Sequence, residues 1–179
     1  MELPNIPYKV SHRDVRYPRL EFRTGELLLV LPYGYKPDPI LNKHQKWIRK
    51  KMALVEECLK HSTSKKMVER TEQDFRDLTF ILAKKTLTEL GGRLNHIYFR
   101  MMRTKWASLS SRRNLTINRL MRHLPDHLLS YVIFHEVVHL KEKRHNDKFW
   151  KRISKKFDDY QELEKDLFVY WFQVVKRIQ

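Results

Sequence analysis

Polar and apolar positions change period several times along this chain, and each change marks an element. Leu20–Arg23 and Glu26–Leu31 flank Thr24-Gly25, which predicts a β-hairpin. Tyr8–Arg16 reads as an earlier strand. Asp38 followed by Pro39 predicts a helix N-cap and first turn. Ile40, Leu41, His44, Trp47, Ile48, Val55, Cys58 and Leu59 then recur at helical spacing. A second helix is expected from about Thr71, with Phe75, Leu78, Ile81, Leu82 and Leu90 inward. Gly91-Gly92 should stop it.

From Asn95 the period switches to two. Asn95, Ile97, Phe99 and Met101 alternate with His96, Tyr98, Arg100 and Met102. Leu115–Asn118 is expected to pair with the Trp106–Ser108 region across the polar Ser110–Asn114 turn. Pro125 opens a helix running to about Leu140, and its residues Leu128–Phe134 are apolar nearly all round, so this helix should be buried. After a break over Lys141–Arg144, a helix beginning near Asn146 carries the stripe Phe149, Trp150, Ile153 and Phe157. A last helix carries Leu163, Leu167, Tyr170, Trp171 and Val174. No repeat or low-complexity linker interrupts the pattern. It predicts one α+β domain over residues 1–179, with a small antiparallel sheet packed on helices. Hairpin and helices fill the part up to about residue 92, and the core of the chemistry follows from about residue 93.

Composition narrows the class. The chain has 179 residues, 41% of them apolar and 12% aromatic, which excludes wholesale disorder. Apolar runs such as Leu27–Leu31 fall far short of the ~20 residues of a membrane span. Met1–Val10 lacks a basic region followed by an apolar stretch, so no secretory signal is expected. The single cysteine, Cys58, excludes a disulfide framework and a cysteine-based zinc finger. A soluble protein in a reducing, cytoplasmic setting is expected. Lys+Arg exceed Asp+Glu by 37 to 21, a net charge of +16. The basic residues are scattered, as in Lys50-Lys51 and Lys155-Lys156, and match no nucleic-acid-binding motif. The charge has two readings: a solvated, self-repelling surface, or salt-sensitive, non-specific binding to nucleic acid.

The chemistry sits in His135-Glu136-Val137-Val138-His139. Spacing i, i+4 puts both imidazoles on one helix face, one turn apart, where they can share a Zn²⁺ ion. Glu136 lies beside them, placed to take a proton from water rather than to bind the metal. A catalytic zinc needs a third protein ligand and one open position. His145, six residues after His139, supplies it if the chain reverses over Lys141–Arg144. Asp159 and Glu162 are competing third ligands. The H-E-x-x-H-x5-H spacing equals that of metzincins, but Glu142 stands where those have glycine and no methionine follows Met121, so the match is convergent. Tyr131, one turn before His135, reads as a core tyrosine or an oxyanion donor. Asn118 reads as a turn cap or a support for a loop or ligand. Trp106 and Trp150 read as core anchors, and His96, His123 and His127 lie outside the site.

One order of short motifs is more specific. Arg103-Thr104-Lys105-Trp106-Ala107-Ser108, Leu115-Thr116-Ile117-Asn118, Pro125, Tyr131-Val132, His135–His139, and His145 with Phe149-Trp150 follow one another. In this the chain resembles the YgjP-like metallopeptidase family, relatives of the SprT-like and minigluzincin proteins. The likeness covers about residues 100–150 and departs at Ala107, where the family has Gly, and at Leu109, where it has Cys. It implies a zincin-like α+β core, three histidine ligands at 135, 139 and 145, and a zinc-dependent peptidase acting on protein or peptide substrates. Glu136 would be the base, and Trp106–Ser108 an edge strand against which an extended peptide adds. The alternative is a nucleic-acid-associated accessory protein whose zinc is structural or vestigial.

Overall fold

The computed structural model describes residues 8–23, 26–62 and 65–178. The chain divides into two compact units, one of residues up to 64 together with 171–177, the other of residues 65–170.

The first unit is built on β3 (Glu26–Leu31), a strand of nearly continuous leucine and valine flanked on both edges. β2 (Arg19–Arg23) pairs with it antiparallel, as the hairpin pattern predicts, while the turn Thr24-Gly25 lies outside the described residues. β1 (Tyr8–His12) takes the other edge and runs parallel to β3, from Tyr8 opposite Leu27 to His12 opposite Leu31. It ends at His12, short of the expected Arg16. Leu27, Leu29 and Leu31 alternate onto one face and meet Ile40, Leu41 and Ile48. These come from α1 (Asp38–Lys43) and α2 (Gln45–Ser62).

The sequence pattern reads α1 and α2 as one helix, but the chain breaks at His44, whose φ of −113° leaves helical geometry and whose N–H is shared between the carbonyls of Ile40 and Leu41. The cap residue is Pro37 rather than Asp38, which instead supplies a carboxylate to the first turn. Trp47 is 38% exposed, so the apolar spacing overstates the buried face there. The side chains of Val55, Cys58 and Leu59 lie outside the described residues.

The second unit carries the motifs. Thr71 caps α3 (Glu72–Leu90) by accepting the N–H of Asp74 at 3.1 Å. Gly91 and Gly92 end it at φ +67° and +147°; a Cβ on Gly92 would lie 3.0 Å from Leu140. Phe75 is buried, whereas Ile81, expected inside, is 63% exposed. β4 (His96–Arg100), β5 (Ala107–Leu109) and β6 (Asn114–Asn118) form a sheet in the order β4-β6-β5. Ile97 and Phe99 pack on the core, but Met101 has left the strand and is exposed.

β5 and β6 form the expected antiparallel pair across a turn in which Arg113 adopts φ +56°. The α+β class stands, but the sheets are not antiparallel throughout. β4 runs parallel to β6, as β1 does to β3. A hairpin is a local event that sequence spacing reveals, whereas the third strand can dock on either edge and sets its own direction.

α4 (Asp126–Val138) packs against α3, β5 and α5 (Asp147–Ser154). Leu128, Leu129, Tyr131, Val132, Ile133, Phe134, Val137 and Val138 are all buried, as the all-round apolar pattern requires. Arg70 ties down its start, donating to the carbonyls of Arg122 and Leu124 and to the Asp126 carboxylate. α5 ends at Ser154, earlier than its stripe predicts, and α6 (Tyr160–Ile178) follows. Among the described residues no helix is long and apolar enough to cross a membrane.

Asn118 is the polar keystone of this sheet. Fully buried at the end of β6, it donates to the carbonyls of Met102 and Lys105 at 2.8 and 2.7 Å and accepts the N–H groups of Met102 and Leu120. It thereby fixes the loop that leads into β5. Removing it strands several backbone groups, each costing about 1–3 kcal/mol when buried and unpaired. Asn118→Ala should lower unfolding stability by about 3 kcal/mol, read by urea denaturation. A loss under about 0.5 kcal/mol, the scale of a surface change, would mean the loop is held by other contacts.

Candidate metal centre

α4 brings His135 and Glu136 to its last turns, and His139 is its C-cap residue at φ −63°, ψ −14°. That geometry is still helical, so the i, i+4 relation holds and the two imidazole rings lie 5.3 Å apart. The chain then reverses in a tight turn, with the N–H groups of Leu140, Lys141 and Glu142 bonded back to Val137 and Val138. Asn146 starts α5 by accepting the N–H of Phe149 at 2.9 Å. His145 therefore stands just outside a capped helix, with its ring 5.0 Å from that of His135 and 4.8 Å from that of His139.

One nitrogen from each of the three histidines lies within 4.8 Å of the other two, and the Nε2 atoms of His135 and His145 are 3.0 Å apart. Nitrogens bound at 2.0–2.1 Å to a tetrahedral zinc stand about 3.4 Å apart, so small ring movements would let these three hold one ion. The Nδ1 of His139 donates to the carbonyl of Glu142 at 2.9 Å, which leaves Nε2 with the free lone pair. Phe149 and Trp150 wall the group: Phe149 stacks on His139 at 4.7 Å and Trp150 on His145 at 5.7 Å. Asp159 and Glu162 do not join the three.

Glu136 is oriented by the sheet edge. Trp106 and Ser110 both bond to β6, accepting from and donating to Asn118 and Asn114. In an antiparallel ladder bonded residues alternate with outward-facing ones, so Ala107 and Leu109 turn their backbone groups away from β6. The N–H of Leu109 is satisfied by the Glu136 carboxylate. The departure from the family's cysteine at Leu109 leaves this contact intact, because it uses the backbone.

Burial disfavours the charged forms of His135 and His145. Burial, reinforced by His145 and His139, pushes His135 down from 6.5 to about 3. Burial and His139 also lower His145, with Glu164 opposing. Burial pushes the Glu136 carboxyl above its ordinary value, while His139, the Leu109 N–H and Lys105 pull the other way. Uncharged nitrogens offering lone pairs beside a carboxylate with raised proton affinity suit metal binding and proton transfer.

The remaining expected residues are placed as follows. The Tyr131 hydroxyl donates to Glu164 at 2.5 Å, so its proton is not offered to a substrate. Trp106 anchors the core through its indole N–H on the Leu167 carbonyl. His96 is exposed against Tyr98, His123 is buried on the Val68 carbonyl, and His127 is exposed in the first turn of α4. Three participants had no sequence signal: the Leu109 N–H, the Glu142 carbonyl and Glu164. Two are backbone groups, which carry no identity, and the third is an ordinary charged residue outside every motif.

Among solved structures, the metallopeptidase zymogen abylysin of Pyrococcus abyssi is 22% identical, with a TM-score of 0.46 over 50% of this chain and 90% of that one. The zymogen jannalysin of Methanocaldococcus jannaschii is 23% identical, with a TM-score of 0.44 over 56% and 97%. No curated protein matches. The profile of the YgjP-like metallopeptidase domain matches residues 69–169, more than half of the chain and all of the candidate centre. The chain belongs to the YgjP-like metallopeptidase domain family.

Proposed function

We propose that the protein is a zinc-dependent metallopeptidase. His135, His139 and His145 hold the ion, and Glu136 is the general base and later the acid. The observation that carries this reading is the convergence of three imidazole nitrogens within 4.8 Å beside a buried carboxylate. Zinc, when bound, supplies polarisation of the scissile carbonyl and acidification of water.

The chain's own residues do the rest. Glu136 accepts a proton from water as its oxygen bonds to the carbonyl carbon. As the carbon–nitrogen bond breaks, it passes that proton to the leaving amine. The Leu109 N–H aims the carboxylate, and Lys105 helps to keep it ionised between turnovers. β5 pairs only with β6 among the described strands, so its other edge is the one an extended peptide would join. This places an added peptide strand beside the carboxylate that must reach its scissile bond.

Three outcomes test the reading. Purified protein should carry about one zinc per chain. His135→Ala or His139→Ala should abolish it and His145→Ala should weaken it strongly, while Asp159→Ala and Glu162→Ala leave it unchanged. Full zinc retention in the His135→Ala, His139→Ala double variant, measured by elemental analysis, would sink the assignment. Second, Glu136→Gln keeps the side-chain shape but not the proton affinity. It should retain zinc and cleave an unfolded protein substrate ~10²–10⁴-fold more slowly; cleavage at the wild-type rate would remove Glu136 from the mechanism.

The third outcome is a pH dependence. In the metal-free protein the unfolded chain binds more protons than the folded one between about pH 3 and pH 6.5, through His135. Stability should therefore be fully present above pH 6.5 and fall as the pH drops toward 3. His135→Gln should flatten that slope in melts taken across the range.

A further inference from the structure

The centre has a support, Glu164, that lies outside every motif. His135 presents Nε2 to His145 at 3.0 Å, so its other nitrogen faces away from the candidate ion. That nitrogen, Nδ1, lies 3.6 Å from the carboxylate of Glu164. The distance is longer than a hydrogen bond and within ion-pair reach. The same carboxylate oxygen accepts the Tyr131 hydroxyl at 2.5 Å.

Each member is placed by a different element. Tyr131 sits one turn before His135 on α4, buried, with its ring edge-on to Phe157 at 5.3 Å and to His135 at 6.0 Å. Its hydroxyl is thus delivered from a rigid ring. Glu164 reaches across from α6 and is 46% exposed. A glutamate that open to solvent would sample many rotamers, and the tyrosine holds it in one. His139 solves the same problem differently, with Nδ1 bonded to the Glu142 carbonyl.

We infer that Glu164, held by Tyr131, is a positioning residue that fixes the ring and tautomer of His135. This rests on the three-histidine metal reading above. An imidazole that gives its Nε2 lone pair to a cation must carry its proton on Nδ1. A carboxylate beside Nδ1 favours that tautomer and makes Nε2 a stronger donor. Tyr131 is thereby part of the support of the centre, not an oxyanion donor.

The test uses the full chain with Glu164→Gln, Tyr131→Phe, the double variant, and Glu162→Gln as a control for charge on the same helix. Zinc and cobalt affinities are measured by competition with a chromophoric chelator. The visible spectrum of the cobalt form reports ligand geometry, and melts of the metal-free proteins report the fold. Glu164→Gln should weaken zinc binding 10–100-fold and alter the cobalt spectrum, with the metal-free melt unchanged. Tyr131→Phe should act in the same direction and less strongly. The double variant should be no worse than Glu164→Gln alone, because the two act as one unit. Wild-type affinity in Glu164→Gln, or an equal loss in Glu162→Gln, overturns the inference while the metal reading stands. A wild type that takes up no zinc overturns both.

Discussion

A helix that is apolar on every side has to end in polar chemistry, and the second unit is organised around that conflict. α4 is buried along nearly its whole length, yet its last turns carry two imidazoles and a carboxylate. Such groups cost free energy when they leave water unpartnered. Their partners come from separate segments: the Leu109 N–H from β5, the Glu142 carbonyl from the turn, His145 from the start of α5 and Glu164 from α6. The helix supplies the residues, and its surroundings make them tolerable and aim them.

The sheet edge serves both stability and the proposed chemistry. Asn118 pins the loop before β5, the ladder then alternates from Trp106 to Ser110, and the alternation decides that Leu109 points outward to Glu136. A slip of one residue in this ladder would turn that N–H inward and leave the carboxylate without its donor. The register is held by the Arg113 turn at one end and the Asn118 clamp at the other. In the proposed peptidase, the edge that orients the base would also receive the substrate backbone.

The first unit is organised on simpler terms. Alternating leucines of β3 meet Ile40, Leu41 and Ile48, and among the described residues of this unit no charged side chain is buried. The charge of +16 is spread over the whole chain, and Lys105 brings part of it to the centre, where it favours the ionised form of Glu136.

Much was legible in the sequence because it depends on local periodicity. The β2–β3 and β5–β6 hairpins, the buried α4, the glycine stop after α3 and the His135/His139 pair all follow from spacing within a few residues. His145 was legible because only five residues separate it from His139, a span too short to carry it far. The tertiary structure decided what spacing cannot encode. The parallel partners of β3 and β6, the break at His44 and the exposure of Ile81 depend on what lies across space, and so does the choice of His145 over Asp159 and Glu162 as the third member of the cluster. Glu164 sits 29 residues from His135 along the chain, and the Leu109 N–H is present in any sequence. A side-chain period records which face is buried, whereas a hydrogen bond between remote elements exists only once both have been docked.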